Sequence, residues 1–188
     1  MLIVIEGDNG TGKDSVGALF VRDGYYVPTY EKTAVKLSQE ARKLPRPERT
    51  PAFLKYSAFC GQCTLEHDKS LIVRYWISTL SAAYADNVFD LAETLKKARE
   101  LYSKFPVPDY VFFLRCDFDE RIRRINARQI DSDDDRTIER ARKYDHISGE
   151  LSKIIQNWYI IDTTESTPEL EYMRMRQIIN SKPEDTNG

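Results

Sequence analysis

Seven residues near the start of the chain, Gly7-Asp8-Asn9-Gly10-Thr11-Gly12-Lys13, satisfy G-x-x-x-x-G-K, the spacing that wraps backbone around a phosphate group. Glycine supplies positive φ and close approach where a bulkier residue would collide. Backbone N–H groups then converge on the anion at a helix N-terminus, and Lys13 adds a point charge for the β- and γ-phosphates. The chemistry of these seven residues is nucleoside triphosphate binding, with ATP the expected ligand. Asp14 stands next, where Ser or Thr ordinarily ligates Mg2+. A carboxylate is a hard oxygen ligand, so Asp14 keeps a metal role, with Ser15 as the alternative ligand. Capping of the helix start is the other reading of Asp14.

A loop of this kind works only between a buried strand and a helix. Residues 2–5 are a continuous apolar run ending just before Gly7, and four more such runs follow at 25–27, 71–73, 110–114 and 158–161. Continuous apolar runs, unlike alternating ones, suit parallel strands covered on both faces. Polar stretches with helical spacing separate them. The fold expected is therefore α/β: a P-loop NTPase three-layer sandwich, a central five-stranded parallel sheet with helices on both faces and a short lid. Three prolines and three basic residues within 43–51 predict a loop or a break between helices. Thr167-Pro168-Glu169 predicts a helix start, and the helix reaches about residue 180. One domain spans 1–181, and 182–188 reads as a polar, disordered tail.

The chain has 188 residues, 41% apolar and 31% charged, which suits a globular protein and contains no apolar run long enough for a bilayer. The first residues lack the basic lead and cleavage site of a signal peptide, so a cytoplasmic protein is expected. A net charge of −2 gives no general attraction to nucleic acid or membrane. Cys60 and Cys63, with His67 beyond them, leave a zinc site open, but two ordinary thiols are the preferred reading. The acidic run at 131–135 reads as a solvated loop, since it lacks the glycine and glutamate of a calcium loop.

Ile5-Glu6-Gly7-Asp8-Asn9-Gly10-Thr11-Gly12-Lys13 resembles the thymidylate kinase version of the phosphate loop, E-G-x-D-G-S-G-K. The resemblance continues in order along most of the chain. Thr29-Tyr30-Glu31-Lys32 is similar to the segment with an acidic and a basic residue that meets the substrate phosphate. Tyr56-Ser57-Ala58 resembles the start of F-S-A-N-R, whose aromatic ring stacks on the base. Val73-Arg74-Tyr75 resembles D-R-Y, and Ile160-Ile161-Asp162 resembles the final V-I-D-A strand. The family's loop aspartate, helix arginine and D-R-Y aspartate are replaced here by Asn9, Cys60 and Val73.

The resemblance implies ATP-dependent phosphorylation of a nucleoside monophosphate, most of all dTMP, with Mg2+ held through Asp14 or Ser15, and a homodimer. Gly7 to Ser15 would hold ATP. Glu31, Lys32, Tyr56, Arg74 and Tyr84 would meet the acceptor, although an aromatic such as Tyr56 can also be core. Lys13, Arg74 and Arg128 would be catalytic. Arg121, Arg124 and Arg128, at i, i+3 and i+7, share a helix face. They read either as a lid closing over the γ-phosphate, together with Arg136, or as a solvated face paired with Asp117 and Glu120. Two rivals remain: a deoxynucleoside kinase using Glu31 as base, and a nucleotide-binding regulator whose catalysis the changes at Asn9, Asp14 and Val73 have ended.

Overall fold

The computed structural model describes residues 1–127 and 137–181. Arg128, Arg136, the acidic run 131–135 and the tail 182–188 lie outside the described residues. Elements alternate along the chain: β1 (Leu2–Glu6), α1 (Lys13–Arg22), α2 (Lys32–Lys43), α3 (Arg46–Thr64), β2 (Ser70–Val73), α4 (Trp76–Ala85), α5 (Leu91–Lys104), β3 (Tyr110–Arg115), α6 (Phe118–Ala127), α7 (Ile138–Leu151), β4 (Trp158–Asp162) and α8 (Pro168–Ser181). Among the described residues no helix is long and apolar enough to cross a membrane.

The sheet is parallel throughout, in the order β2-β1-β3-β4. It has four strands where the sequence predicts five. The run 25–27 contributes only a single parallel bridge, Tyr26 to Ser70, at the β2 edge. Gly24 enters it with φ +82°, and Pro28, which has no N–H to continue a ladder, opens a 3-10 turn directly after it. One residue pair is all the space those two leave.

Alternate residues of the strands serve opposite faces. Val4, Ile72 and Val111 pack with Trp76, Leu80 and Ile147 on one side, where α3, α4, α5 and α7 lie. Ile3, Ile5, Leu71 and Phe112 pack with Val16 and Phe20 of α1 and Met175 of α8 on the other. Each such side chain, fully buried, contributes about 1.5–3 kcal/mol relative to exposure. With β1 in the sheet centre, the loop after it emerges between the two helical layers.

The expected break at 43–51 is confined to Leu44 and Pro45. Pro47 falls in the first turn of α3, where its missing N–H costs nothing, and the helix runs on through Pro51. At the other end of the chain, Thr167 Oγ1 accepts from Leu170 N at 3.4 Å and starts α8 as its sequence predicts.

Candidate active site

The backbone between β1 and α1 has the shape its glycines were expected to give. Gly7, Gly10 and Gly12 have φ of +137°, +83° and +90°. A Cβ on Gly10 would lie 2.9 Å from the carbonyl oxygen of Arg121, so α6 closes directly on the loop. Donors occupy the loop carbonyls one after another. Tyr144 Oη donates to Gly7 O at 3.3 Å, Arg121 Nε to Asn9 O at 2.9 Å, and Thr163 Oγ1 to Thr11 O at 3.2 Å. Lys13 Nζ donates to Asp8 O and, at 3.2 Å, to Thr11 Oγ1. By contrast, the N–H groups of Gly10, Thr11, Gly12 and Lys13 donate to no acceptor among the described residues. A loop with its carbonyls satisfied and four successive N–H groups open suits an anion.

Lys13 is fully buried, and its pKa is lowered well below the ordinary range by desolvation and then by the nearby Arg74. An incoming polyphosphate is the counter-charge that would restore it. Asp14 and Ser15 lie exposed in the first turn of α1. Among the described residues no three His, Cys, Asp or Glu side chains are grouped to hold a metal. An ion at Asp14 and Ser15 would complete its shell with phosphate oxygens and water, the usual habit of Mg2+.

Beside the loop a cavity of 440 Å3 opens between the start of α1, the end of β2 and the helices α2, α3 and α4. Asp14, Tyr56, Arg74, Ser78 and Thr79 are among its lining residues. Arg74 follows the last residue of β2 and holds φ of +66°, left-handed for a non-glycine residue. Its N–H donates to Ile5 O at 3.0 Å, and its Nη1 donates to Asn9 Oδ1 at 2.8 Å. Strain of this kind persists only where surrounding contacts over-determine it, and it collects at functional sites.

Those contacts centre on Glu6, which the sequence reading passed over. Glu6 is fully buried at the end of β1, accepts Tyr75 N–H at 2.9 Å, and accepts the hydroxyl of Ser78 as well. The carboxylate thereby caps the start of α4 and fixes the chain on either side of Arg74. Burial pushes its pKa from 4.5 to about 7, although both hydrogen bonds work the other way. The one sequence signal was a charged residue closing an otherwise apolar strand.

A second buried network sits under the loop. Asp8, 5% exposed, receives Arg121 Nη2 at 2.7 Å and Arg140 Nη1 at 3.2 Å. Arg140 also meets Asp86 at 2.8 Å, and these two carboxylates raise its pKa despite its burial. Arg121 is therefore neither a lid residue over open space nor a solvated partner of Asp117. Arg124 does pair with Glu120, at 2.7 Å, and also donates to the carbonyls of Thr163 and Thr164. No local pattern in the sequence marks Arg140 or Tyr144.

The other expected acceptor contacts divide. Tyr56 belongs to the core and lines the cavity, so its two readings coexist. Glu31 accepts from Tyr26 Oη at 3.1 Å, and Lys32 starts α2; neither lines the cavity, while their neighbours Thr29 and Tyr30 do. Tyr84 lies against His146, ring centroids 6.1 Å apart, away from the cavity. Cys60 is fully buried, with its thiol pushed up to about 12 by desolvation, and the His67 ring stacks on Tyr26 rather than facing it.

Residues 62–173 match the model of the family described as thymidylate kinase, more than half of the chain. The chain belongs to the thymidylate kinase family. The matched stretch carries Arg74, Ser78, Arg121 and Arg140, while the phosphate loop lies before it and is identified by its own motif. A comparison with curated protein sequences gave no match. Solved structures share the kinase fold at low identity. Deoxyadenosine kinase from M. mycoides, with the products dCMP and a flexible dCDP bound, superposes with a TM-score of 0.71 at 16% identity over 97% of this chain and 100% of that one. Thymidylate kinase from Candida albicans gives 0.69 at 20% identity, over 96% and 91%. The YorR protein from Bacillus subtilis, in complex with phosphorylated GDP, gives 0.64 at 17%, over 96% of each. As a member of the thymidylate kinase family the chain has a phosphotransferase ancestry in which ATP is the donor.

Proposed function

We propose that this protein transfers the γ-phosphoryl group of ATP to a nucleoside monophosphate, with dTMP the favoured acceptor. The observation that carries the reading is the position of Arg74. One guanidinium lines the acceptor cavity and also bonds, through Asn9, to the loop that would hold the donor phosphates.

The open N–H groups of Gly10 to Lys13 would bind the triphosphate, and Lys13 would turn from Asp8 O to its oxygens. Arg74 would hold the acceptor phosphate in line beside it. Phosphoryl transfer asks a protein mainly for this positioning and for charge neutralisation. Asp14 and Ser15 fit Mg2+, which when bound spreads the charge of the β- and γ-phosphates. Arg128, whose lid role the family resemblance implies, belongs to the same proposal, as does a cytoplasmic homodimer.

Asp14 is the one carboxylate lining the cavity among the described residues, and it stands in the first turn of α1, directly after the phosphate loop. A nucleoside hydroxyl would need a base close by, and Glu31 is engaged by Tyr26 outside the cavity. A monophosphate oxygen is already ionised and needs none. That difference favours a monophosphate acceptor over a nucleoside. Transfer of labelled phosphate from ATP-Mg2+ to a panel of monophosphates and nucleosides is the test: dTDP as the leading product supports the reading, and a phosphorylated nucleoside as the leading product refutes it.

A further inference from the structure

The cavity wall away from the phosphate loop is made by α2, which presents Val35, Ser38, Gln39 and Arg42 to it. These are i, i+3, i+4 and i+7, one stripe of one helix. The Arg42 guanidinium forms no hydrogen bond or ion pair with any described residue. Tyr56, Arg74 and Arg42 line this one cavity, so a ligand lying on the ring has a guanidinium on either side within the same space. A nucleotide with its phosphate at Arg74 and its base on Tyr56 therefore turns the outer base edge toward α2.

The chemistry of that edge is constrained. A guanidinium has five N–H donors and no acceptor. Guanine meets it with O6 and N7, and thymine or uracil with O4; adenine and cytosine place an amino group there, donor against donor. No carboxylate on the α2 stripe can receive that amino group, since Glu40 lies off the stripe, 4.0 Å from Lys36. Gln39 can donate or accept and is indifferent to the choice.

The geometry points to Arg42 as the residue that selects the base, favouring an acceptor with a carbonyl oxygen at pyrimidine C4 or purine C6 over one with an amino group there. This rests on the reading of the cavity as the acceptor site. The test is direct titration of dTMP, dGMP, dCMP and dAMP into the full chain with a non-transferring ATP analogue and Mg2+ present. Wild type, Arg42→Gln and Arg42→Lys are compared, and phosphate transfer is followed in parallel. The oxo nucleotides should bind about tenfold or more tightly than the amino ones. Arg42→Gln should shrink the gap to about threefold or less without changing ATP-analogue affinity, and Arg42→Lys should keep part of it. An oxo preference in binding without any transfer would uphold Arg42 and remove the kinase reading alone. Equal binding of all four, a preference that survives Arg42→Gln, or no binding by any of them overturns the assignment.

Discussion

Arg74 Nη1 lies 2.8 Å from Asn9 Oδ1, a bond that joins the end of β2 to the phosphate loop across the middle of the site. On either side of this bond the chain departs from the family pattern, at Val73 and at Asn9, in complementary ways. Val73 leaves Arg74 without the acidic neighbour of D-R-Y, and Asn9 supplies an uncharged acceptor from the other side. The guanidinium is thus oriented without being neutralised, and its charge stays available to an anion.

Held at φ +66°, Arg74 carries backbone strain of about 1–3 kcal/mol that glycine would not. Arg74→Gly should therefore unfold in urea at no lower concentration than wild type, while its turnover of the acceptor collapses. A clear loss of stability would mean that the side-chain bond to Asn9, and not the backbone, dominates at this position.

Glu6 gives a pH dependence with a defined sign. Its folded pKa of about 7 lies above the ordinary 4.5, so the folded state holds the proton more tightly. Stability from this group is full below about pH 4.5 and is lost as pH rises through 7, by about 3 kcal/mol at the limit. Glu171, also raised to about 7 by burial, adds a slope of the same sign. Urea midpoints at pH 5 and pH 7.5 should differ less in Glu6→Gln than in wild type; identical differences would remove Glu6 as a source.

Removing the carboxylate of Asp8 leaves Arg121, itself 5% exposed, and Arg140 facing each other. Asp8→Ala should cost about 3–5 kcal/mol, because breaking a buried pair strands uncompensated charge. Denaturant unfolding reads this directly, and a cost under about 1 kcal/mol would show that water reaches the arginines.

Asp14 should make nucleotide binding depend on metal. Without Mg2+ its carboxylate would repel the triphosphate, and with Mg2+ it would serve as a ligand. The ratio of ATP affinities with and without Mg2+ should fall in Asp14→Ala, measured by titration of each form. An unchanged ratio would leave Asp14 as a residue of the helix start and nothing more.

The strands and the phosphate loop were legible because their causes are local. Apolar runs mark β1, β2, β3 and β4 to within a residue or two, and the glycine spacing marks the loop. The run 25–27 misled because its apolar character gives no hint that Pro28 stops the ladder after one bridge. The same limit hid the supports of the site. Arg121 and Arg124 share a periodic face, yet one descends to Asp8 and the other crosses to the carbonyl of Thr163, partners that only the tertiary fold brings near. Glu6 on β1 and Arg140 and Tyr144 on α7 meet at the site from two elements far apart in sequence, and spacing carries no information about such meetings. Arg74, Tyr56 and Asp14 each fall in or directly beside a recognisable pattern, and they line one cavity.

On the proposed function, Arg74 holds the phosphate of a nucleotide acceptor against a loop-bound ATP. This is tested most directly by dTDP formation from ATP-Mg2+ and dTMP in wild type and Arg74→Gln, with ATP affinity measured on the same samples. Wild type should form dTDP, and Arg74→Gln should lose on the order of 100-fold or more in kcat/KM for dTMP while binding ATP within a few-fold of wild type. Turnover that persists in Arg74→Gln, or wild-type protein that binds ATP and phosphorylates no monophosphate, would contradict it.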